Sequence, residues 1–177
     1  NKAPLFIIDD SHNRLLFCLD KVGKWMSTLE LGHPNTSIKR DDIKIEVQVI
    51  EGQQVGQNVD IDNLSANEIL ENPNSIDLRY IEAKQPALRV KVKTTTNSYF
   101  VSALYLRSDY GIRTYMPTTP YLLPDGEGES LRFQHKGKEY TTIPISLDKK
   151  YWDFGINRIT DYLKVFVSTK HFNLSTL

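Results

Sequence analysis

Apolar residues recur at every second position through much of the chain, the mark of strands with one face in a core and one in water. Ile43, Ile45, Val47 and Val49 alternate with Lys44, Glu46 and Gln48, and Leu88, Val90 and Val92 alternate with Arg89, Lys91 and Lys93. Residues 76–81 repeat the pattern, whereas 99–106 form a longer apolar run that predicts a strand buried on both faces. Ser108-Asp-Tyr-Gly111 predicts a turn with Gly111 supplying a positive φ, followed by a partner strand at 112–116. Residues 131–133 and 140–145 flank a hairpin tip at 135–138, and Pro144, with no N–H to give a ladder, places its strand at an edge. A final strand is predicted at 163–168, with Phe172 and Leu174 holding the tail.

Other stretches read less regularly. Residues 5–8 and 15–19 predict two short buried strands joined by a polar turn at 9–13, and 22–31, with Trp25, Met26, Leu29 and Leu31, fits either a strand or a short helix. The polar stretch 52–62 predicts a loop. Ser65-Ala-Asn-Glu68 has capping-box spacing, which predicts a helix of about two turns stopped by Pro73. Three prolines and two glycines make 117–130 a long loop, and 148–158 an aromatic connection. The sum is about nine or ten strands and one or two short helices, with no strand–helix–strand alternation. The expected fold is all-β and mainly antiparallel, a two-sheet β-sandwich forming one domain over 1–177. If the first fifty residues pack separately, 52–62 is the seam.

Composition narrows the partners. Lys plus Arg and Asp plus Glu both number 22, so there is none of the basic excess expected of a nucleic-acid domain or an anionic-membrane binder. One cysteine, Cys18, excludes an intrachain disulfide and a paired Cys-x-x-Cys zinc site, and suits the cytoplasm. No apolar run approaches the roughly 20 residues needed to span a bilayer. The chain begins with Asn rather than Met, which reads as a fragment of a longer polypeptide.

The search for chemistry yields little. Cys18, within Leu15-Leu-Phe-Cys-Leu19, reads as a core thiol with no cation nearby to activate it. His12, His33, His135 and His171 fall in predicted loops or hairpins without helical ligand spacing. Asp125, Glu127 and Glu129 alternate with glycines but lack the length of a calcium loop. Asp9-Asp10 with Asp41-Asp42 forms a calcium site only if the pairs meet in space. Phosphate-binding glycine motifs are missing, and no catalytic residue, cofactor or metal site is assigned. Two clusters are candidates for binding. Arg89, Lys91 and Lys93 share the wet face of one strand, where charge ordinarily serves solvation and edge protection. Tyr110, Tyr115, Tyr121, Tyr151, Trp152 and Phe154 lie in or beside the longer loops, where they either contact a partner or ligand or plug the end of the sandwich.

The second half carries a resemblance. The block from Tyr99-Phe-Val-Ser-Ala-Leu to Arg113-Thr-Tyr-Met-Pro117, the acidic Glu127-Gly-Glu-Ser130, the Ile143-Pro-Ile145 strand and Leu163-Lys-Val-Phe-Val-Ser-Thr169 resemble bacterial accessory domains of unknown function. Such domains lie beside caspase-like Cys/His peptidase domains. The resemblance spans 88–177, and the Gln-Ala-Cys-x-Gly nucleophile signature is absent. It implies a non-catalytic module that recognises, restrains or scaffolds a protein partner or a neighbouring domain; the charge balance and missing motifs add the expectation of no nucleic acid, membrane or cofactor. A free-standing sandwich binding a ligand such as carbohydrate through Trp152 and the loop tyrosines is the alternative, and an enzyme of unrecognised type a third reading.

Overall fold

The computed structural model describes residues 12–32, 36–54, 68–78, 84–95, 97–114, 121–124, 126, 128–135, 138–145, 151 and 153–174. These residues form one long helix, α1 (His12–Glu30), a 3-10 turn at Arg40–Asp42, and eleven strands. The strands are β1 (Ile43–Gln54), β2 (Glu68–Glu71), β3 (Lys84–Thr94), β4 (Tyr99–Leu106), β5 (Ile112–Thr114), β6 (Tyr121–Leu123), β7 (Gly128–Ser130), β8 (Phe133–His135), β9 (Lys138–Tyr140), β10 (Thr142–Pro144) and β11 (Tyr162–Ser168). All the pairings are antiparallel, so the expected all-β class is observed.

Sheet A has the order β10-β3-β1-β2 with β7 also on β3, sheet B has β11-β4-β5 with β6 also on β4, and β8–β9 is a separate hairpin. The alternation read in the sequence sets the registers. Val47 lies opposite Val90 and Ile45 opposite Val92, so one face of sheet A is aliphatic. That face meets Tyr99, Val101 and Ala103 of β4, Leu123 of β6 and Leu163, Val165 and Val167 of β11 in one core. The two sheets are therefore packed face to face.

β4 is buried almost throughout, as its apolar run predicts, because its other face is covered as well. Leu104 and Leu106 point away from sheet A and pack with Trp25 and Leu29 of α1 and with Phe172 and Leu174 of the tail. Trp25 sits edge-on to Tyr110 and Tyr162, at centroid separations of 5.4 and 5.7 Å. The architecture is thus sheet A, sheet B, then helix and tail.

Several expectations are corrected. Residues 15–19 are helical, not a strand, and 22–31 resolves as the continuation of the same helix. A run of adjacent apolar residues has no period of its own, and its neighbours decide: Cys18, Val22, Trp25 and Leu29 recur at helical spacing, and Asp20 pairs with Lys24 one turn on. Glu68–Glu71 is a strand rather than the first turns of a capped helix. A two-turn helix is marginal in water, while β1 offers an open edge on which Leu70 aligns with Val47. Asn72 closes that edge from the left-handed region (φ 45°), a conformation Asn tolerates; its Oδ1 accepts from Ile45 N–H at 2.7 Å and its own N–H donates to Ile45 O at 2.7 Å.

The proline-rich 117–130 stretch is not wholly loop, since β6 and β7 lie within it and fill the remaining edges of β4 and β3. In the 108–111 turn the positive φ belongs to Tyr110 (58°), not to Gly111. Gly111 is required for space instead, because a Cβ there would stand 2.9 Å from Asp109 Oδ1, which accepts from its N–H. The described part of 76–81 is irregular, although Ile76 still packs on the core. Pro144 occupies the outermost strand of sheet A as expected. Pro86, inside β3, stands opposite the register shift between Ile50 and Gln53, where a missing N–H disrupts least. Of the loop expected at 52–62, residues 52–54 instead continue β1, and of the turn expected at 9–13, residues 12–13 begin α1; 5–8, 9–11 and 55–62 lie outside the described residues.

Candidate functional site

Helix α1 carries two apolar stripes. Its inward stripe, Cys18, Val22, Trp25 and Leu29, is at least half-buried, with Trp25 only 7% exposed. The second stripe runs through Leu16, Leu19 and Met26 with Gly23 between them, a spacing of three, four and three residues. At 3.6 residues per turn it lies about 110° round the helix from the first. Leu16 is 65% exposed and Leu19 58%, and Met26 is exposed as well. Leu15 and Phe17 widen the patch, with Phe17 63% exposed. Nothing lies within 4 Å of the Cβ position of Gly23.

Phe17 lies about 12 Å along the helix axis from Trp25, so this apolar end stands clear of the footing on sheet B. A helix apolar around its circumference is ordinarily a buried helix. Cys18, expected in a strand core, is instead partly buried on the inward stripe of this helix.

The outer face of sheet A is charged. Lys44, Glu46 and Gln48 lie opposite Lys93, Lys91 and Arg89. The ammonium of Lys93 donates to Glu46, Lys44 pairs with Glu71 at 2.6 Å, and Arg89 donates to Gln48 at 3.3 Å. The hydrogen bond from Lys93 holds the Glu46 carboxyl below its ordinary range, against partial desolvation, and Glu71 raises Lys44. Of the basic cluster singled out by alternation, Lys93 is thus paired with a carboxylate and Arg89 bonds a neutral amide. Gly128 on β7 makes room for the cluster, since a Cβ there would come within 2.4 Å of Lys93 Cγ and 2.7 Å of Lys91 Cε.

A polar depression of about 550 Å³ lies beside the start of β4, lined by Ser37, Lys39, Asp42, Asn97, Tyr99 and Thr169. Its carboxylate is engaged in holding the backbone, since Asp42 Oδ2 accepts from Lys39 N–H at 2.9 Å and from Tyr99 Oη at 3.1 Å and so closes the 3-10 turn.

Among the described residues the aromatic candidates take different environments. Tyr110 packs on Trp25 under α1, Tyr151 is buried, and Phe154 is 60% exposed. Tyr121 lies in β6, while Tyr115 and Trp152 are outside the described residues. His171 packs edge-on to Phe100 at 5.5 Å, and Glu129 binds Arg132. No three His, Cys, Asp or Glu groups among the described residues converge as metal ligands, and no described helix is long and apolar enough to cross a membrane. The second stripe of α1 is hidden from a sequence reading that places residues 15–19 in a strand; the helical spacing of Leu16, Leu19, Gly23 and Met26 is the signal that could reveal it.

No family model, curated protein or solved structure matches the chain.

Proposed function

We propose that this chain is a non-catalytic interaction module, and that the second stripe of α1 is the surface that engages a protein partner or a neighbouring domain. The observation that carries the reading is the line of exposed apolar side chains at Leu16, Leu19 and Met26, interrupted by the bare backbone of Gly23. Apolar anchors at helical spacing are how an amphipathic helix is held in a partner's groove, and contiguous exposed apolar surface marks such contacts. The gap at Gly23 lets a partner side chain or backbone approach the helix closely. The resemblance of the second half to domains found beside caspase-like peptidases supports a peptidase domain as that neighbour.

The test is a photo-crosslinking residue placed at position 19 of the native polypeptide in its own cells, with position 24, on the charged side of α1, as control. A defined protein adduct, or an internal one to a neighbouring domain, is expected from 19 and not from 24. The purified partner is expected to bind Leu16→Glu roughly tenfold or more weakly, as for loss of an interface anchor. Equal adducts from both positions, or none, contradict the reading.

A further inference from the structure

We infer that the chain self-associates through β11, whose free edge pairs antiparallel with β11 of a second copy about a two-fold axis at Val165. This goes beyond the helix surface and uses a different part of the molecule. Sheet B ends at β11, which bonds to β4 on one side and, among the described residues, to no strand on the other. Its seven residues exceed the four of β2 and the three each of β10, β7, β5 and β6, the other outer strands. From Leu163 to Val167 every residue is half-buried whichever face it points to, whereas their partners Val101 to Tyr105 are buried.

A row of unpaired N–H and C=O groups is a template for another strand, and edges are normally guarded by a free lysine, a proline or a bulge. β11 has no proline, and its register with β4 runs unbroken from Tyr162 to Ser168. Its one lysine does not guard the edge, because the Lys164 ammonium is turned onto the carbonyls of Thr28 and Leu29.

The strand's own pattern selects a second copy as the occupant. Full overlap sets Tyr162 against Ser168, Leu163 against Val167, Lys164 against Phe166 and Val165 against itself. Like charges never face each other, and directly opposed like charges are what most often disfavours a pairing. Lys164 meets an aromatic ring, a contact already made within one chain, where Nζ lies 5.6 Å from the Phe166 centroid. Leu163, Val165 and Val167 stay on the face of sheet A and meet only one another. An axis normal to the sheet keeps both α1 helices on the same side and consumes both β11 edges, so the assembly closes as a dimer.

Sedimentation equilibrium of the purified chain, from micromolar to submillimolar, tests this. A monomer–dimer equilibrium is expected. Tyr162→Lys/Ser168→Lys places lysine opposite lysine at both ends of the paired strands and is expected to leave a monomer, whereas Tyr162→Lys/Ser168→Glu restores complementary charge and is expected to dimerise. Since both carry the Tyr162 change, a fold made unstable by it shows in the circular dichroism of both and cannot mimic the difference. A wild-type chain that stays monomeric throughout, or a dimer that persists in the Lys/Lys variant or is equally lost from both variants while both keep the wild-type circular dichroism, overturns the inference.

Discussion

Lys164, in the middle of β11, ends α1: its Nζ donates to Leu29 O at 2.7 Å and to Thr28 O at 2.8 Å. The last carbonyls of a helix have no partner within it and carry the negative end of its dipole, so a cation there serves both needs. The contact ties the helix to sheet B at the end opposite its exposed apolar turn, and it fixes which stripe of α1 faces inward.

Lys164→Met keeps the aliphatic stem and removes the ammonium. It is expected to destabilise the fold by about 1–2 kcal/mol in denaturant titration, the scale of a charged hydrogen bond at a helix end. Burial lowers the pKa of Lys164 from its ordinary value of 10.5. The unfolded chain therefore binds more protons than the folded one between the lowered value and 10.5, and stability from this group rises with pH across that window. The advantage of wild type over Lys164→Met is expected to grow as pH increases toward 10.5; a difference that shrinks there contradicts this.

On sheet A the sign is the same, in the acid range. Lys93 holds the Glu46 carboxyl below its ordinary 4.5, so its contribution is present above 4.5 and lost as pH falls through the lowered folded value. Glu46→Gln is expected to remove up to ~1 kcal/mol of stability at neutral pH and to flatten this part of the acid dependence. Molar salt is expected to narrow the gap between the two proteins, by screening a pair at the surface.

Gly128→Ala is expected to destabilise by about 1 kcal/mol, since the new Cβ displaces the stem of Lys93. In a Lys93→Ala background most of the obstruction is gone, and the penalty is expected to fall by at least half. A double-mutant cycle on thermal unfolding measures this coupling, and additive effects count against the crowding described.

Trp25 anchors α1 through packing alone: its Nε1 is buried without a hydrogen-bond partner. Trp25→Ala is therefore expected to cost about 3–5 kcal/mol, while Trp25→Phe, which also removes the unpaired N–H, is expected to cost well under half of that. Equal losses from the two would place the contribution of Trp25 in its nitrogen rather than its ring.

The parts of the fold legible in the sequence are those whose period matches their surroundings. β1 and β3 alternate because one face meets the core and the other water, and β4 is continuously apolar because sheet A covers one face and α1 the other. Pro144 marks its edge because a missing N–H is a local fact. What escapes depends on distant partners. Glu68–Glu71 pairs with β1 despite a helix-start signal, and β6 and β7 exist because β4 and β3 have edges to fill. Residues 15–19 mislead because five apolar neighbours satisfy a strand or a helix equally, and the decision comes from Trp25 and Leu29 further on. Of the loop aromatics, Tyr110 and Tyr151 are turned inward, which no local pattern could specify.

The most direct test of the helix surface is Gly23→Leu, measured for stability and for partner binding together. The new side chain points into open space and replaces glycine within a helix, so the melting temperature is expected to rise, by the equivalent of about 0.5–1 kcal/mol. The same side chain fills the gap between Leu19 and Met26, and capture of the partner by a crosslinker at position 19 is expected to fall about tenfold or more. A more stable chain that still captures its partner undiminished would contradict the assignment of this stripe as the docking surface.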